Sequence, residues 1–274
     1  MGPPRMRVVS LVPSETESVA VLAGIERLIG RTDFCLEPVG QIEAIPSVGG
    51  TKRFDVERVL SLAPDLILAN QEENGERDVK ALIAAGAPVH LSFPRSLEDS
   101  CAYLSELDAL LGSDRSDTIA AAEAVLRETD LPAWRARAPR VAVPIWRDPF
   151  MTFDEHTFAS AMLEAAGGEN AFSGRARRYP LAADLDPARA PIETGKDTRY
   201  PRFAMDELIA RAPDVVLLPD EPFAFGPQHR HELRSALGHD RVVLMSGKDL
   251  FWYGVRAAGA VTRLRALLAS LDPD

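Results

Sequence analysis

Two stretches of the chain share one pattern of apolar and polar positions. Residues 56–73 read VERVLSLAPDLILANQEE, and residues 205–222 read MDELIARAPDVVLLPDEP. Each opens with apolar residues at helical spacing (Val56, Val59, Leu60; Met205, Leu208, Ile209), which predicts a short amphipathic helix. Each then breaks at Ala-Pro-Asp, where Pro64 and Pro213 cannot continue a helix. Each resumes as an unbroken apolar run, Leu66–Ala69 or Val215–Leu218, the pattern of a strand buried on both faces of a parallel sheet. Both runs lead into acids, Glu72-Glu73 and Asp220-Glu221. Ligands of open α/β sheets bind beyond the carboxyl ends of the strands. The duplicated unit therefore predicts two α/β lobes, each with a polar ligand-facing edge.

The remaining pattern fits that plan. Arg7–Leu11 reads as a strand, and Ser14 with Glu17 three residues on is a capping-box signature for a helix closing at Gly24. Leu28–Arg31 is a second strand, with Phe34 and Cys35 past its end. A helix from Gly75 to Gly86 and a strand over Pro88–Leu91 complete an alternation that implies a parallel sheet with right-handed crossovers. Residues 114–137 are Ala-rich with few breakers before Pro132 and predict one long helix of about five turns. The expected organisation is an N-terminal α/β lobe over 6–113, a bridging helix over 114–138 and a C-terminal α/β lobe over 139–274. In that last part, Arg140–Trp146 and Val242–Leu244 read as strands and Phe158–Ala166 as a helix. Gly247-Lys248-Asp249 reads as a turn, and a final helix runs to Leu271. Residues 173–201, with Arg-Tyr-Pro at 178–180 and again at 199–201, form a long irregular insertion. Insertions of that length are more often functional than filler.

Composition narrows the function classes. The 274 residues carry a formal net charge of -10, which argues against nucleic acid or an anionic membrane as partner. The local run Arg175, Arg177, Arg178 reads as a solvated loop. No run of about 18 apolar residues is present, so direct membrane insertion is not expected. The N-terminus has no apolar h-region. As written the chain reads as cytoplasmic, or as beginning after a removed leader. Cys35 and Cys101 have no metal-ligand spacing, and whether they pair stays open.

Candidate binding residues follow from the strand ends and the loops after them. The first lobe offers Pro13, Ser14, Phe34, Cys35, Thr51, Lys52, Asn70, Gln71, Glu72 and Glu73. The C-terminal half offers Trp146, Arg147, Phe150, Asp220, Glu221, Phe223, Trp252 and Tyr253. Aromatic groups suit a large planar ligand, with a few polar groups to orient it. Glu72-Glu73 reads equally well as a pair of acids favoured at a helix N-terminus or as a partner for Arg147. Gly49-Gly50-Thr51-Lys52 lacks phosphate-loop spacing. His229, His231 and Glu232 invite a metal reading, but histidines two apart on a helix face different sides, and no metal ligand is assigned. Catalytic motifs such as G-x-S-x-G and H-E-x-x-H are missing, so no enzyme is expected.

Several phrases occur together in one order: PSETE after the first strand, VGGTK, LAPDLILA, NGERDV, DPFMTF, AAGGENAF and APDVVLL. That order resembles the helical-backbone substrate-binding proteins of metal-chelate ABC importers, especially the vitamin B12-binding ones, over about residues 7–270. The resemblance implies a bilobal receptor that captures cobalamin or a related chelate (iron-siderophore, heme) in an inter-lobe cleft. No cofactor is required beyond that cargo. It implies an ABC permease as partner, docked through Glu76 and, less closely matched, Glu232. It makes Trp252 the late aromatic that packs on a corrin, while Asn70-Gln71 stand where the family has its first-lobe aromatic. Members are usually periplasmic or lipid-anchored. The alternative reading is a cytosolic metal or tetrapyrrole carrier, or a small metal-dependent enzyme.

Overall fold

The computed structural model of the chain describes residues 5–128 and 138–271. The described residues form two compact units, the first running to residue 124 and including 252–257, the second made of those from 125 to 251 and from 258 on.

In the first unit, β1 (Val8–Ser10), β2 (Leu28–Arg31), β3 (Leu66–Asn70) and β4 (Val89–Ser92) make a parallel sheet in the order β2-β1-β3-β4. Helices α1 (Pro13–Ala23), α2 (Val56–Ser61), α3 (Glu76–Ala84) and α4 (Leu97–Leu111) connect or flank these strands. Every residue of β3 is buried, as a strand covered on both faces requires. Val9, Leu11, Val48, Val59, Ile67 and Leu82 form its core.

The same chain logic builds the second unit. There β5 (Arg140–Ala142), the two-residue β6 (Phe150–Met151), β7 (Glu169–Asn170), the two-residue β8 (Arg202–Phe203), β9 (Val215–Pro219) and β10 (Val242–Met245) give a parallel sheet β10-β9-β5-β7 and an antiparallel β6-β8 ribbon. Helix α5 (Ser116–Leu126) precedes them. Helices α6 (Phe158–Ala165), α7 (Leu181–Leu185), α8 (Met205–Arg211), α9 (Pro227–Leu237), α10 (Lys248–Phe251) and α11 (Ala257–Ser270) complete the chain. The fully buried β9 sits in a core with Phe172, Phe203, Leu208 and Val242.

The duplicated pattern is borne out to the level of single dihedral angles. In both units the alanine of Ala-Pro-Asp is left-handed, Ala63 at φ 47° and Ala212 at φ 46°. A following proline disfavours the right-handed helical region for the preceding residue, and the left-handed turn lets the chain reverse from helix into strand.

Three expectations need correction, and one helix goes beyond them. Ser14 does not cap α1: Pro13 occupies the first turn and Val12 is the cap, without a side-chain bond. Proline's preset φ favours that position, so the helix starts earlier than the Ser14–Glu17 signature indicates. The strand at Arg140 ends at Ala142 rather than Trp146. Residues 248–251 are a short helix rather than part of a turn. Helix α4 was not foreseen, although Ser96 and Asp99 form a true capping box at its start. Of the long helix expected over 114–138, Ser116–Leu126 is helical, and residues 129–137 lie outside the described residues.

Candidate functional site

The carboxyl edge of the first sheet is built on two asparagines. Asn70 ends β3, and its Oδ1 accepts from the backbone of Glu72 (2.7 Å) and Glu73 (3.1 Å), folding the chain sharply after the strand. Asn74 ties that turn down, its Nδ2 donating to the carbonyls of Leu11 and Thr51, both at 3.0 Å. Lys52 donates through Nζ to the Glu72 carbonyl. The acids at 72–73 therefore belong to this turn, and α3 begins only at Glu76.

Behind the turn lies a buried polar cluster. Glu15 of α1 is fully buried, and its Oε1 accepts 2.5 Å bonds from both Ser92 Oγ and the Tyr253 hydroxyl. Asn70 Nδ2 donates to the same Ser92 and Tyr253 oxygens at 3.1 Å. Tyr103 packs edge-on against Tyr253 at 5.2 Å. Burial pushes the Glu15 carboxyl up to about 8 against the pull of those hydroxyl bonds, with the charge of Glu73 adding to the rise. A carboxyl protonated at neutral pH accepts at Oε1 and retains a donor at Oε2, which is buried without a protein partner. Tyr253 enters this cluster because residues 252–257 pack with the first unit. Gly254 N donates to Ser100 Oγ at 3.0 Å, and Arg256 forks onto Glu17 of α1.

The predicted residues of this unit are thus divided by depth. Pro13, Ser14 and Cys35 are buried. The Cys35 thiol contacts the Thr16 and Thr32 hydroxyls at 3.0 and 3.1 Å, and burial raises its pKa. Asn70, Trp252 and Tyr253 are buried too, with Arg256 stacked 5.1 Å above the Trp252 ring. Lys52 and Gln71 are exposed, and Thr51, Glu72 and Glu73 are half-buried. Phe34, just past β2, leaves 60% of its surface to solvent.

In the second unit the corresponding edge is aromatic and basic. Trp146, beyond β5, is 43% exposed and meets Phe223 edge-on at 5.7 Å. Phe150 stacks on Phe203 at 5.3 Å, with the Arg147 guanidinium 5.6 Å above its ring. Arg147 forks onto Glu232 of α9 at 2.5 and 3.1 Å. Asp148 lies 3.6 Å from the same guanidinium. Asp220 is exposed and accepts from Gly247 N at 2.7 Å, and Glu221 is half-buried. His229 accepts at Nδ1 from the backbone N of Gly226 and meets Phe223 and Phe225 edge-on, while His231 is exposed. Among the described residues, the group close enough to hold a metal is instead Asp154, Glu155 and His156.

Sequence reading underestimated the arginines of the insertion. Arg175 is not solvated: its side chain is 14% exposed, and it binds Asp184 and Glu207, both at 2.9 Å. Asp184 is the cause. This buried acid on α7 also accepts from the backbone of Arg178 (2.9 Å) and Arg202 (2.7 Å), so the insertion folds around it. The missed polar cluster of Glu15, Ser92 and Tyr103 left only a faint trace, the polar PSETE run inside an otherwise apolar helix face.

Two parallel sheets whose carboxyl ends present aromatic and polar groups define a solute receptor of α/β build. The chain belongs to the periplasmic binding protein family, whose model matches residues 8–229. The vitamin B12-binding protein of Yersinia pestis (strain Pestoides F) is 26% identical over 216 residues, 77% of this chain and 69% of the relative. The periplasmic vitamin B12-binding protein BtuF of Vibrio cholerae has the same fold, with a TM-score of 0.72 at 20% identity over 99% of both chains. The periplasmic heme-binding protein BhuT, in complex with two hemes, gives 0.72 at 26% identity over 98% of this chain and 100% of its own. Members of the family are binding proteins, and this chain is a solute-binding protein. Among the described residues no helix is long and apolar enough to cross a membrane.

Proposed function

We propose that the solute is a planar metal chelate, cobalamin or heme in chemical type, taken up against the exposed aromatic groups at the carboxyl ends of the strands. The observation that carries this reading is the exposure of Phe34 and Trp146 in those positions. Both stand at the edge where α/β sheets take their ligands, and flat ligands bind mainly through aromatic and apolar contacts. The relatives named for vitamin B12 and heme support the same class. Delivery to an ABC permease completes the reading. Glu76 suits a docking role, since its side chain is 81% exposed at the start of α3 with Lys80 as a surface partner. Glu232 suits it less, being committed to Arg147.

Calorimetric titration with cyanocobalamin, hemin and a ferric siderophore tests the proposal. One of the three should bind one-to-one or, for a flat dimerising ligand, two-to-one, and Trp146→Ala should weaken it about tenfold, the scale of one aromatic contact. Glu76→Ala should leave that titration unchanged while lowering chelate uptake by cells. Failure of all three ligands to bind removes the chelate assignment, and uptake unaffected by Glu76→Ala removes the docking role.

A further inference from the structure

The insertion over residues 173–202 runs against the charge of the molecule. It holds seven basic and four acidic residues in a chain of net charge -10. It leaves the sheet from the carboxyl end of β7, which runs parallel to β5, and so starts at the same edge as Trp146. It returns through β8, whose Phe203 and Arg202 pair with Phe150 and Met151 of β6.

Within it, the arginines are not equivalent. Arg175 is spent on Asp184 and Glu207, and Arg211 forks onto the same Glu207. Arg177 and Arg202 are left over. Arg177 lies over the Tyr179 ring at 4.6 Å, and its Nε is 4.0 Å from Asp184 Oδ2, too far for a hydrogen bond. That oxygen already accepts from the backbone N of Arg202. Arg177 Nε and Arg202 Nη1 are shielded from water with no protein acceptor. Among the described residues neither side chain has a hydrogen bond, so their remaining N–H groups are reachable from solvent. Burial and the neighbouring charge of Arg177 both disfavour the charged form of Arg202. Asp197, the other carboxylate near Arg177, is bound by Arg199, so two half-buried guanidinium groups stand among carboxylates already committed elsewhere and form a site of unbalanced positive charge. Such an arrangement is costly by itself and is relieved by an oxyanion, which a guanidinium takes in a forked geometry.

We propose that Arg177 and Arg202 form an oxyanion subsite that takes a carboxylate carried by the bound chelate, so that the protein prefers acidic chelates to uncharged ones. This rests on the reading of the chain as a metal-chelate receptor. The aromatic groups supply contact to the flat face, and the arginine pair reads the acid at its rim.

The test compares ligands that differ only in that acid: hemin against hemin dimethyl ester, and a cobalamin monocarboxylate against cobalamin. The free acid should bind at least about tenfold more tightly, the scale of a charged hydrogen bond, and Arg177→Gln with Arg202→Gln should abolish the preference. Arg189→Gln removes one charge from the same insertion at an exposed position (its partner Asp186 is 3.5 Å away) and should keep it. Equal affinity for acid and ester, or a preference that survives in the double variant, overturns the subsite and leaves the receptor reading intact if Trp146→Ala still weakens binding. If no chelate binds, the receptor reading falls, and the arginine Nε resonances decide the subsite. A saturable shift with succinate, larger than with inorganic phosphate, supports it. No shift, or phosphate binding the tighter of the two, overturns it.

Discussion

Up to the end of the central strand the two units are built alike, and beyond it they part. Helix, left-handed alanine, proline and buried strand recur in α2–β3 and α8–β9 with φ values one degree apart. Past the strand, the first unit turns back on itself through Asn70 and Asn74 and seals a neutral polar cluster beneath the turn. The second unit runs on from β9 to Asp220 and Phe223, whose ring meets Trp146, and carries its basic insertion ahead of the repeat, between β7 and β8, folded round Asp184. The scaffold tolerates either solution because surface loops accept changes of sequence and length more readily than the strands they join. Function diverges there first.

Each unit buries acid side chains, and the contrast between Asp184 and Glu15 is the place to break the comparison hardest. Asp184 works as an anion: two backbone N–H groups and the Arg175 guanidinium all end on it. Asp184→Ala should cost roughly 3–5 kcal/mol, the usual penalty for orphaning part of a buried charged network. Urea denaturation monitored by tryptophan fluorescence reads it directly. A loss under about 1 kcal/mol would mean that the insertion does not depend on this acid.

Glu15 works as a neutral acid, so its removal should behave oppositely. Its folded pKa, about 8, lies well above the 4.5 of a free glutamate side chain. Between those two pH values the native carboxyl keeps a proton that the unfolded chain releases, and stability therefore falls as pH rises from about 4.5 to 8 and then levels. Glu15→Gln keeps an acceptor for Ser92 and Tyr253 but has no charge to acquire. The variant and the parent should be close in stability at pH 5, and by pH 8 the variant should be ahead by on the order of a few kcal/mol. Paired thermal melts across that range make the measurement. A difference that does not change with pH would show that Glu15 is not held neutral by the fold.

These two carboxyls also explain what could and could not be read from the sequence. The parallel sheets and the echo of one unit in the other were legible because they rest on local periodicity and proline. The placing of Phe34 and Trp146 at strand ends was legible for the same reason. The burial of Glu15 was not, because its partners Ser92 and Tyr253 lie 77 and 238 residues away. Nor was the packing of 252–257 with the first unit, because the partners of that segment, Glu17, Ser18 and Ser100, lie more than 150 residues away in sequence. Arg175 misled for a similar reason: a run of arginines reads as solvated unless the acid that buries it is known, and Asp184 is nine residues on, inside a helix of five.

The smallest effect tests the half of the comparison that says the units are the same. A left-handed alanine costs about 1–2 kcal/mol relative to glycine in that conformation. Glycine's greater freedom in the unfolded chain gives back about 0.4–1 kcal/mol of that advantage. Ala63→Gly and Ala212→Gly should each therefore stabilise by about 1 kcal/mol or less, and by nearly the same amount. The environments differ in detail: Arg7 donates through Nε to the Ala63 carbonyl at 3.3 Å, whereas in the second unit His239 meets the carbonyl of Pro213 at 3.1 Å. Neither contact involves the alanine side chain, so neither should separate the two variants. Equal small gains in denaturation midpoint would mean that the reversal before each strand is the same physical object in both units. A gain in one and a loss in the other would mean that the match in φ conceals different packing around the two methyl groups, and that the units begin to diverge before their strands rather than after them.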